Sequence, residues 1–338
     1  MLEDYELDLN KPYTWLSWGG LILPGVVRNK DGSLMGFIRY GKERAAGQLQ
    51  MDFSEGWALW LDVHHLQGEE CSTLCLLWNP ICKGKNSKAI NGYLGVEVDE
   101  GWWSEHFREV MSELCSRVCA LRPGSYLLQQ EEVLSYLKTT LEMEHCQVAM
   151  LEVPLYLDAV LSRDMEMKLY SPASKDKNRL TIKGKEIVVA SLKDTLRESR
   201  LNLLLGAFRE MDYRLCRRVL LMSEERLERE LRGLTNEWCS HRKSVADYML
   251  SKQHGSGGLA SEMLIFAIEA EKLSVLQDYI RQILDAVELP YVLEDYNRKA
   301  CWWGSLPGMF RAGEKVWPRK VAPLEDFLCL GGKGELGV

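Results

Sequence analysis

The chain has 338 residues, of which 46% are hydrophobic, with a formal net charge of −7 and a pI of about 5.6. This length is sufficient for one large domain or two medium ones. The acidic balance argues against a general nucleic-acid-binding surface, no apolar run is long enough to cross a membrane, and the acidic first twenty residues differ from a signal peptide.

The first predicted elements are strands of an antiparallel sheet. Apolar runs at 21–28 and 34–40 flank a polar turn at 29–33, where the pair Asp31-Gly32 is typical of a tight hairpin because glycine adopts positive φ at no cost. Further strands are predicted at 56–66 and 71–78. A basic loop at 83–91 and a return strand at 92–98 follow.

Helical periodicity begins at residue 102. Apolar residues recur at three- and four-residue steps over 102–121 and again over 130–144, which predicts two helices separated by Pro123-Gly124. Because the connection is short, we expect the two helices to pack against each other as a helical hairpin.

The second half alternates strands and helices. Strands are predicted at 187–191, 213–222, 263–269 and 291–293, and helices at 192–210, 224–253, 274–289 and 298–306. A capping box of Ser274 and Gln277 is expected to open the third of these helices. The strand–helix–strand order at 263–293 suggests half of a ferredoxin-like unit.

The predicted fold class is therefore α+β, with an antiparallel sheet at the N-terminus, a helical hairpin and a ferredoxin-like strand–helix–strand region. We predict three parts along the chain. They are a β-rich subdomain with the helical hairpin at 1–160, an α+β subdomain at 161–322, and a Gly-rich tail at 323–338.

Four short motifs occur in the same order as in a known protein family. They are Trp18-Gly-Gly-Leu-Ile-Leu-Pro-Gly-Val-Val-Arg-Asn-Lys-Asp-Gly-Ser33, Val153-Pro-Leu-Tyr-Leu-Asp158, Trp238 with Arg242-Lys243-Ser244, and Cys301-Trp-Trp-Gly-Ser-Leu-Pro-Gly308. On these motifs the chain resembles the CagE/TrbE/VirB family of conjugal-transfer and type IV secretion ATPases, and TrbE in particular. The positions that carry the resemblance are Pro24, Gly25, Asn29, Lys30, Asp31, Gly32, Ser33, Pro154, Tyr156, Asp158, Trp238, Trp302, Gly304, Ser305, Pro307 and Gly308.

The resemblance implies an N-terminal docking and assembly domain. Its partners would be inner-membrane subunits of a type IV secretion channel and other copies of the ATPase, so the expected location is cytoplasmic and peripheral to the bacterial inner membrane. In the family, an ATPase domain that uses ATP and Mg²⁺ follows the segment that resembles residues 323–324. Two alternatives are one half of a split ATPase and a decayed remnant.

The sequence contains no phosphate-binding loop of the form Gly-x-x-x-x-Gly-Lys-[Ser/Thr]. The nearest segment is Gly331-Gly332-Lys333-Gly334, in which glycine follows the lysine and no hydroxyl is present to hold Mg²⁺. We therefore expect no cofactor in this chain and no ATP hydrolysis by the chain alone.

Cysteine and histidine residues allow either a functional or a structural interpretation. Ten cysteines lack a disulfide framework spacing, which indicates a reducing compartment. Five histidine and cysteine residues could in principle bind a metal, but they have no Cys-x-x-Cys spacing and fall on strands with alternating faces, so buried thiols are favoured over zinc. These five residues are His64, His65, Cys71, Cys75 and Cys82.

Two further groups remain open between alternatives. Five basic residues indicate either a solvated loop or a contact with nucleic acid or anionic lipid, and direct contact with DNA is the less favoured reading. These residues are Lys175, Lys177, Arg179, Lys183 and Lys185. Trp302 and Trp303 fit either core packing or the anchoring of a partner.

Overall fold

One antiparallel sheet of 13 strands lies at the centre of the fold. The computed structural model describes residues 16, 18–23, 25–30, 32–42, 57–78, 100–148, 157, 161, 167–169, 179–194, 196, 198–221, 257–295, 298–309 and 320–323. This part of the chain belongs to the α+β class, because helices cover a sheet whose strand pairs are all antiparallel.

The strands are β1 (Trp18–Leu23), β2 (Val26–Asn29), β3 (Leu34–Arg39), β4 (Trp57–Leu66), β5 (Glu69–Trp78), β6 (Tyr126–Leu127), β7 (Met167–Leu169), β8 (Leu180–Ile182), β9 (Lys185–Leu192), β10 (Tyr213–Leu221), β11 (Gly257–Ile268), β12 (Tyr291–Leu293) and β13 (Lys320–Pro323). The helices are α1 (Glu100–Leu121), α2 (Gln130–Glu142), α3 (Glu198–Ala207), α4 (Leu273–Ala286) and α5 (Arg298–Ser305).

The strand order is β1-β2-β3-β5-β4-β10-β11-β9-β8-β7. Three strands lie off this path, since β6 pairs with β3, β12 with β9 and β13 with β11. The contact between β4 and β10 joins the first and second halves of the chain, with Ala58 opposite Leu220 and His65 opposite Tyr213. Hydrogen bonding therefore continues across the predicted subdomain boundary at residue 160. The division into subdomains stays a prediction.

Helices cover both faces of the sheet. On one face, called face A here, α1, α3 and α4 contribute Phe107, Leu204 and Ile280 to an apolar core. On the other, called face B, α2 and α5 contribute Leu137 and Trp302 to a second core. Alternate residues of the central strands enter the two cores, as the two-residue period of a strand requires.

The predicted hairpin of two helices is wrong. Both helices form at the expected positions, but α1 packs on face A and α2 on face B. The connection contains the two-residue strand β6, which pairs with Ile38 and Arg39 of β3 and leads the chain around to the other face. A strand this short leaves no periodic signal in the sequence.

Boundaries elsewhere also differ from the predictions, and the helix predicted at 192–210 occurs at Glu198–Ala207. The first apolar run is split by a turn at Gly25, which has a φ of 78°, so β1 and β2 form their own hairpin. Strand β11 begins at Gly257, six residues earlier than predicted. The predicted capping box at Ser274 does not form, because α4 begins at Leu273 directly after a 3₁₀ turn at Ala270–Lys272.

Several predictions lie outside the described residues. They are the loop and return strand at 83–98, the helix at 224–253 and the tail beyond residue 323. Among the described residues, no helix combines the length and the apolar composition needed to span a membrane.

Candidate functional site

Two of the motifs, far apart in sequence, meet on face B. The indole Nε1 of Trp18 donates a hydrogen bond to the carbonyl oxygen of Pro307 at 2.7 Å. Gly308 has a φ of 79°, and an added Cβ would lie 2.6 Å from the sulfur of Met35 and 3.0 Å from the side-chain nitrogen of Asn29. The chain that follows α5 is therefore packed directly on the β2–β3 hairpin.

The Asn29–Ser33 segment closes this hairpin. The Asn29 side-chain amide donates to the Ser33 hydroxyl at 2.9 Å, and the backbone nitrogen of Asn29 donates to the Ser33 carbonyl at 2.8 Å. Gly32 has a φ of 82°, which fits the predicted turn chemistry. Lys30 is exposed at the tip. Asn29 and Ser33 are buried, so both serve the turn and its packing.

The two tryptophans of α5 belong to the core. Trp302 is fully buried, Trp303 is 3% exposed, and their rings meet edge to face at 4.5 Å. Gly304 and Ser305 are also buried. Of the two interpretations left open by the sequence, core packing is therefore the one that the arrangement supports.

Ser305 leads into a buried ion pair at the middle of the sheet. Arg214 on β10 donates to both carboxylate oxygens of Asp62 on β4, at 2.9 and 3.0 Å, and to the carbonyl oxygen of Ser305 at 2.6 Å. A second guanidinium nitrogen of Arg214 donates to the Ser305 hydroxyl at 3.0 Å. Both charged side chains are fully buried. Burial is the largest influence on the pKa of Arg214 and would lower it, but the Asp62 charge, the hydrogen bond to Asp62 and the neighbouring Cys216 and Tyr136 together outweigh burial and raise that pKa.

Helix α2 adds a third partner to this pair. The Tyr136 hydroxyl donates to Asp62 at 2.5 Å, and burial together with the Asp62 charge raises the pKa of the phenol well above its ordinary value. One turn later, Thr140 lies 3.4 Å from the ring nitrogen of His64. Burial and the neighbouring Arg214 lower the pKa of His64, so the imidazole is neutral at pH 7.

This central network, consisting of Asp62, Arg214, Tyr136 and Ser305, has the chemistry of a structural site. The thiols of Cys75 and Cys216 lie beside it, and burial raises both their pKa values. A protonated, buried thiol is a poor nucleophile. Apart from Arg214 Nε, which has no hydrogen-bond partner among the described residues, the donors of the network bind its acceptors. Its contribution is therefore to fix β4, β10, α2 and α5 relative to each other.

A second buried ion pair lies on face A. Arg217 on β10 donates to Glu262 on β11 at 2.8 Å and to the Leu196 carbonyl at 3.1 Å. The other carboxylate oxygen of Glu262 accepts from the Leu196 backbone nitrogen at 2.9 Å. This pair ties the segment before α3 to the sheet.

The residues considered for metal binding do not converge. His65 stacks on Tyr213 on face A, whereas His64 faces Tyr136 on face B. Within the described ranges, no group of three or more His, Cys, Asp or Glu side chains is arranged to hold a metal ion. Cys82 lies outside those ranges.

Three of the five basic residues bind carboxylates of the same chain. Arg179 pairs with Glu186, Lys183 pairs with the buried Glu142 at the end of α2, and Lys185 lies 2.9 Å from Glu144. The last two pairs connect the β8–β9 hairpin to the end of α2 and the residues that follow it, whereas the Arg179–Glu186 pair lies within the hairpin region itself. Residues 175 and 177 lie outside the described part, as do the motif positions Pro24, Asp31, Pro154, Tyr156, Asp158 and Trp238.

Sequence reasoning missed the central network. The available signal was Asp62, a single carboxylate within the apolar run Trp57–Leu66 that predicts a strand buried on both faces. Such a carboxylate requires a buried cationic partner. The sequence offers several arginines on the strand at 213–222, and only the strand pairing identifies Arg214 as the partner.

Comparisons with known proteins give no relative. No protein-family profile matches the chain, and no curated protein matches it. Among solved structures, a cysteine-to-alanine variant of berberine bridge enzyme is similar at 11% sequence identity and a TM-score of 0.26, over 78% of this chain and 42% of that one. The chain thus spans less than half of that structure, and a TM-score this low carries no argument about fold or function.

Proposed function

We propose that the chain is the N-terminal docking and assembly domain of a type IV secretion ATPase of the conjugal-transfer kind, similar to TrbE. It binds inner-membrane subunits of the secretion channel and other copies of the ATPase from the cytoplasmic side of the bacterial inner membrane. The observation that carries the proposal is the contact between Trp18 and Pro307, with Gly308 packed on Asn29. Residues from the first and last motifs form one packed unit, so the resemblance rests on residues that hold a fold together.

The proposal includes a finer assignment of the fold. Residues 185–293 form a ferredoxin-like unit, because β9, α3, β10, β11, α4 and β12 follow the order βαββαβ. In support, the strands lie in the order β10-β11-β9-β12, and both helices pack on face A.

The described clusters favour action through surfaces over catalysis by this chain. The central network is fully buried and internally hydrogen-bonded, and the printed sequence has no phosphate-binding loop. A domain of this kind contributes to an ATPase by positioning it.

Binding to the channel is tested by a pull-down. The folded 338-residue chain is immobilised, and detergent-solubilised inner-membrane subunits of a type IV channel are applied, with an unrelated inner-membrane protein in the same detergent as the control. We expect selective retention of a channel subunit. Equal retention of the control, or none by a chain whose fold is verified by circular dichroism, contradicts the proposal.

ATP hydrolysis is tested on the purified chain and on a matched variant. We expect no turnover by either protein. Turnover by the unmodified chain that disappears in Lys333→Ala overturns the proposal, because it assigns phosphate binding to the lysine of Gly331-Gly332-Lys333-Gly334. Turnover that is equal in both proteins but follows the chain through size exclusion overturns it as well.

The second candidate is one half of a split ATPase. It is favoured by the combination of the family motifs with the lack of a phosphate-binding loop in the same 338 residues. The neighbouring reading frame is then expected to encode that loop. The two products are expected to co-purify, and a neighbouring frame without the loop removes this candidate.

A further inference from the structure

The two halves of the sheet have the same strand order when the strands are counted along each half of the chain. Starting from the centre, β4, β5, β3, β2 and β1 are matched by β10, β11, β9, β8 and β7. Each set occurs in the same order along its own half of the chain. Strand β13 alone, among the described strands, has no counterpart.

The correspondence extends to the strands off this path. The edge of β3 that faces away from β5 pairs with two strands. Strand β2 pairs with Leu34–Gly36, and β6 pairs with Ile38 and Arg39. The same edge of β9 is shared by β8 at its beginning and by β12 at Ala190–Leu192. Each half therefore places a preceding hairpin and a following strand on one edge.

Four of the five described helices follow the same rule, and the fifth, α3 between β9 and β10, corresponds in position to residues 43–56, which lie outside the described part of the chain. After β5 comes α1, and after β11 comes α4, and both lie on face A. After β6 comes α2, and after β12 comes α5, and both lie on face B. Two independent elements per half thus agree in order and in face.

The segments after the two face B helices cross to the opposite half. At the end of α2, its last residue Glu142 and the following Glu144 bind Lys183 and Lys185 of the β8–β9 hairpin. Behind α5, Pro307 and Gly308 contact β1 and the β2–β3 hairpin. These hairpins correspond to each other, so the exchange of arms is reciprocal.

We infer that the chain is a fused pseudo-dimer: residues 18–142 and 167–305 are two copies of one unit, joined along β4 and β10 around a pseudo-two-fold axis. The inference does not depend on the proposed secretion function. The β4–β10 pairing runs from Ala58 opposite Leu220 to His65 opposite Tyr213, so its midpoint lies next to the Asp62–Cys216 pair. The central network is therefore the contact between the units, and each unit's face B helix supplies one partner, Tyr136 or Ser305.

This position gives the buried ion pair a specific role. If two first-half units paired through β4, two Asp62 carboxylates would meet near the axis with no arginine between them. Two second-half units would bring two Arg214 guanidinium groups together. Like charges in a buried contact are strongly unfavourable, so the Asp62–Arg214 pair selects the pairing of a first half with a second half.

The test uses the full chain with a protease site inserted between residues 148 and 167 and cleaved after folding. Native mass spectrometry is expected to find both fragments in one 1:1 complex. Isotope-labelled and unlabelled cleaved complexes are then mixed, and fragment exchange is followed. We expect Asp62→Asn to exchange at least tenfold faster than both the unmodified complex and the matched surface variant Asp278→Asn. Fragments that separate on cleavage, or equal exchange by all three proteins, overturn the inference.

The pseudo-symmetry itself is tested in the same sample. The fragments are separated in denaturant and refolded alone and together. Refolded together, the two fragments are expected to form a heterodimer. Refolded alone, the first fragment is expected to form a homodimer, and Asp62→Asn is expected to increase the amount of this homodimer at least tenfold. A homodimer that is equally abundant with and without the Asp62 charge overturns the inference. If a fragment precipitates when refolded alone, the exchange rates decide.

Discussion

Removing the Asp62 carboxylate is the sharpest test of the central network. In Asp62→Ala, the Arg214 guanidinium stays buried without its counter-ion, and the Tyr136 hydroxyl loses the acceptor at 2.5 Å. Removing one partner of a buried ion pair costs about 3–5 kcal/mol. With a urea slope of about 3 kcal/mol per M, the unfolding midpoint is expected to fall by roughly 1–1.7 M.

The assay is urea unfolding followed by circular dichroism and tryptophan fluorescence, with two reference variants. Asp278→Ala removes an exposed ion pair to Arg281 and is expected to change the free energy of unfolding by no more than about 0.5 kcal/mol. The double variant Asp62→Leu with Arg214→Met removes both charges and is expected to recover most of the loss, since apolar replacements of a buried pair are often neutral. A midpoint for Asp62→Ala within the error of Asp278→Ala would refute the argument.

Three further predictions concern neighbouring contacts, each measured by the urea midpoint. Gly308→Ala adds both backbone strain and a clash, so it is expected to lower the free energy of unfolding by about 1–3 kcal/mol more than Gly124→Ala. Gly124 has a similar φ of 82° but open space where its Cβ would lie. Equal losses of stability in the two variants would contradict the packing at Gly308. Trp18→Phe leaves the buried Pro307 carbonyl without its donor at 2.7 Å and is expected to lower the free energy of unfolding by about 1–3 kcal/mol. An unchanged midpoint would mean that this hydrogen bond does not stabilise the fold. The lowered pKa of His64 means that unfolding takes up a proton below pH about 6.5, so the free energy of unfolding falls with decreasing pH by up to about 1.4 kcal/mol per pH unit. The variant His64→Gln is expected to flatten this pH dependence between pH 7.5 and 5.5. An unchanged pH dependence would mean that other groups cause it.

Much of the sheet could be predicted from local patterns. Strand β4 was expected at 56–66 and occurs at Trp57–Leu66, and β10 was expected at 213–222 and occurs at Tyr213–Leu221. Strand β4 is a largely apolar run, whereas β10 carries Arg214, Arg217 and Arg218 between its apolar residues. The turn at Asn29–Ser33 was also correct, because its backbone requirement is met by a glycine at the right place.

The wrong prediction of a helical hairpin has a physical cause, which is that the period of a helix does not say which surface it covers. The stripe on α1 and the stripe on α2 are both apolar, and only the pairing of Tyr126–Leu127 with β3 sends them to opposite faces. A separate error concerns the start of β11, where Gly257 and Gly258 precede the strand predicted at 263–269. They are accommodated in the sheet because Gly257 pairs with Pro323, and Gly258 pairs with Leu221 on one side and Ala322 on the other.

The candidate site was harder to predict than the sheet, since it is built entirely from long-range contacts. Asp62 and Arg214 are 152 residues apart, and Trp18 and Pro307 are 289 apart. The resemblance named Ser305, Pro307 and Gly308 as motif positions without giving them a physical role. In the fold, Ser305 binds the ion pair. Pro307 contacts Trp18 of β1, and Gly308 contacts the β2–β3 hairpin.

The pseudo-dimer explains why motif positions from the two ends of the chain come together. In a two-fold arrangement with exchanged arms, the last segment of each unit must lie on the corresponding hairpin of the other unit, which is β2–β3 in the first unit and β8–β9 in the second. Pro307 and Gly308 occupy that place for the second unit, and Glu142 with Glu144 occupies it for the first. One exchange is apolar and tightly packed, and the other is ionic and partly exposed, so the two ends are expected to differ in strength. Because the buried Glu142 carboxylate keeps Lys138 at 3.8 Å when Lys183 is removed, Lys183→Ala is expected to cost less than Gly308→Ala in the same urea assay. A larger loss for Lys183→Ala would mean that the ionic arm, and not the packed one, holds the two units together.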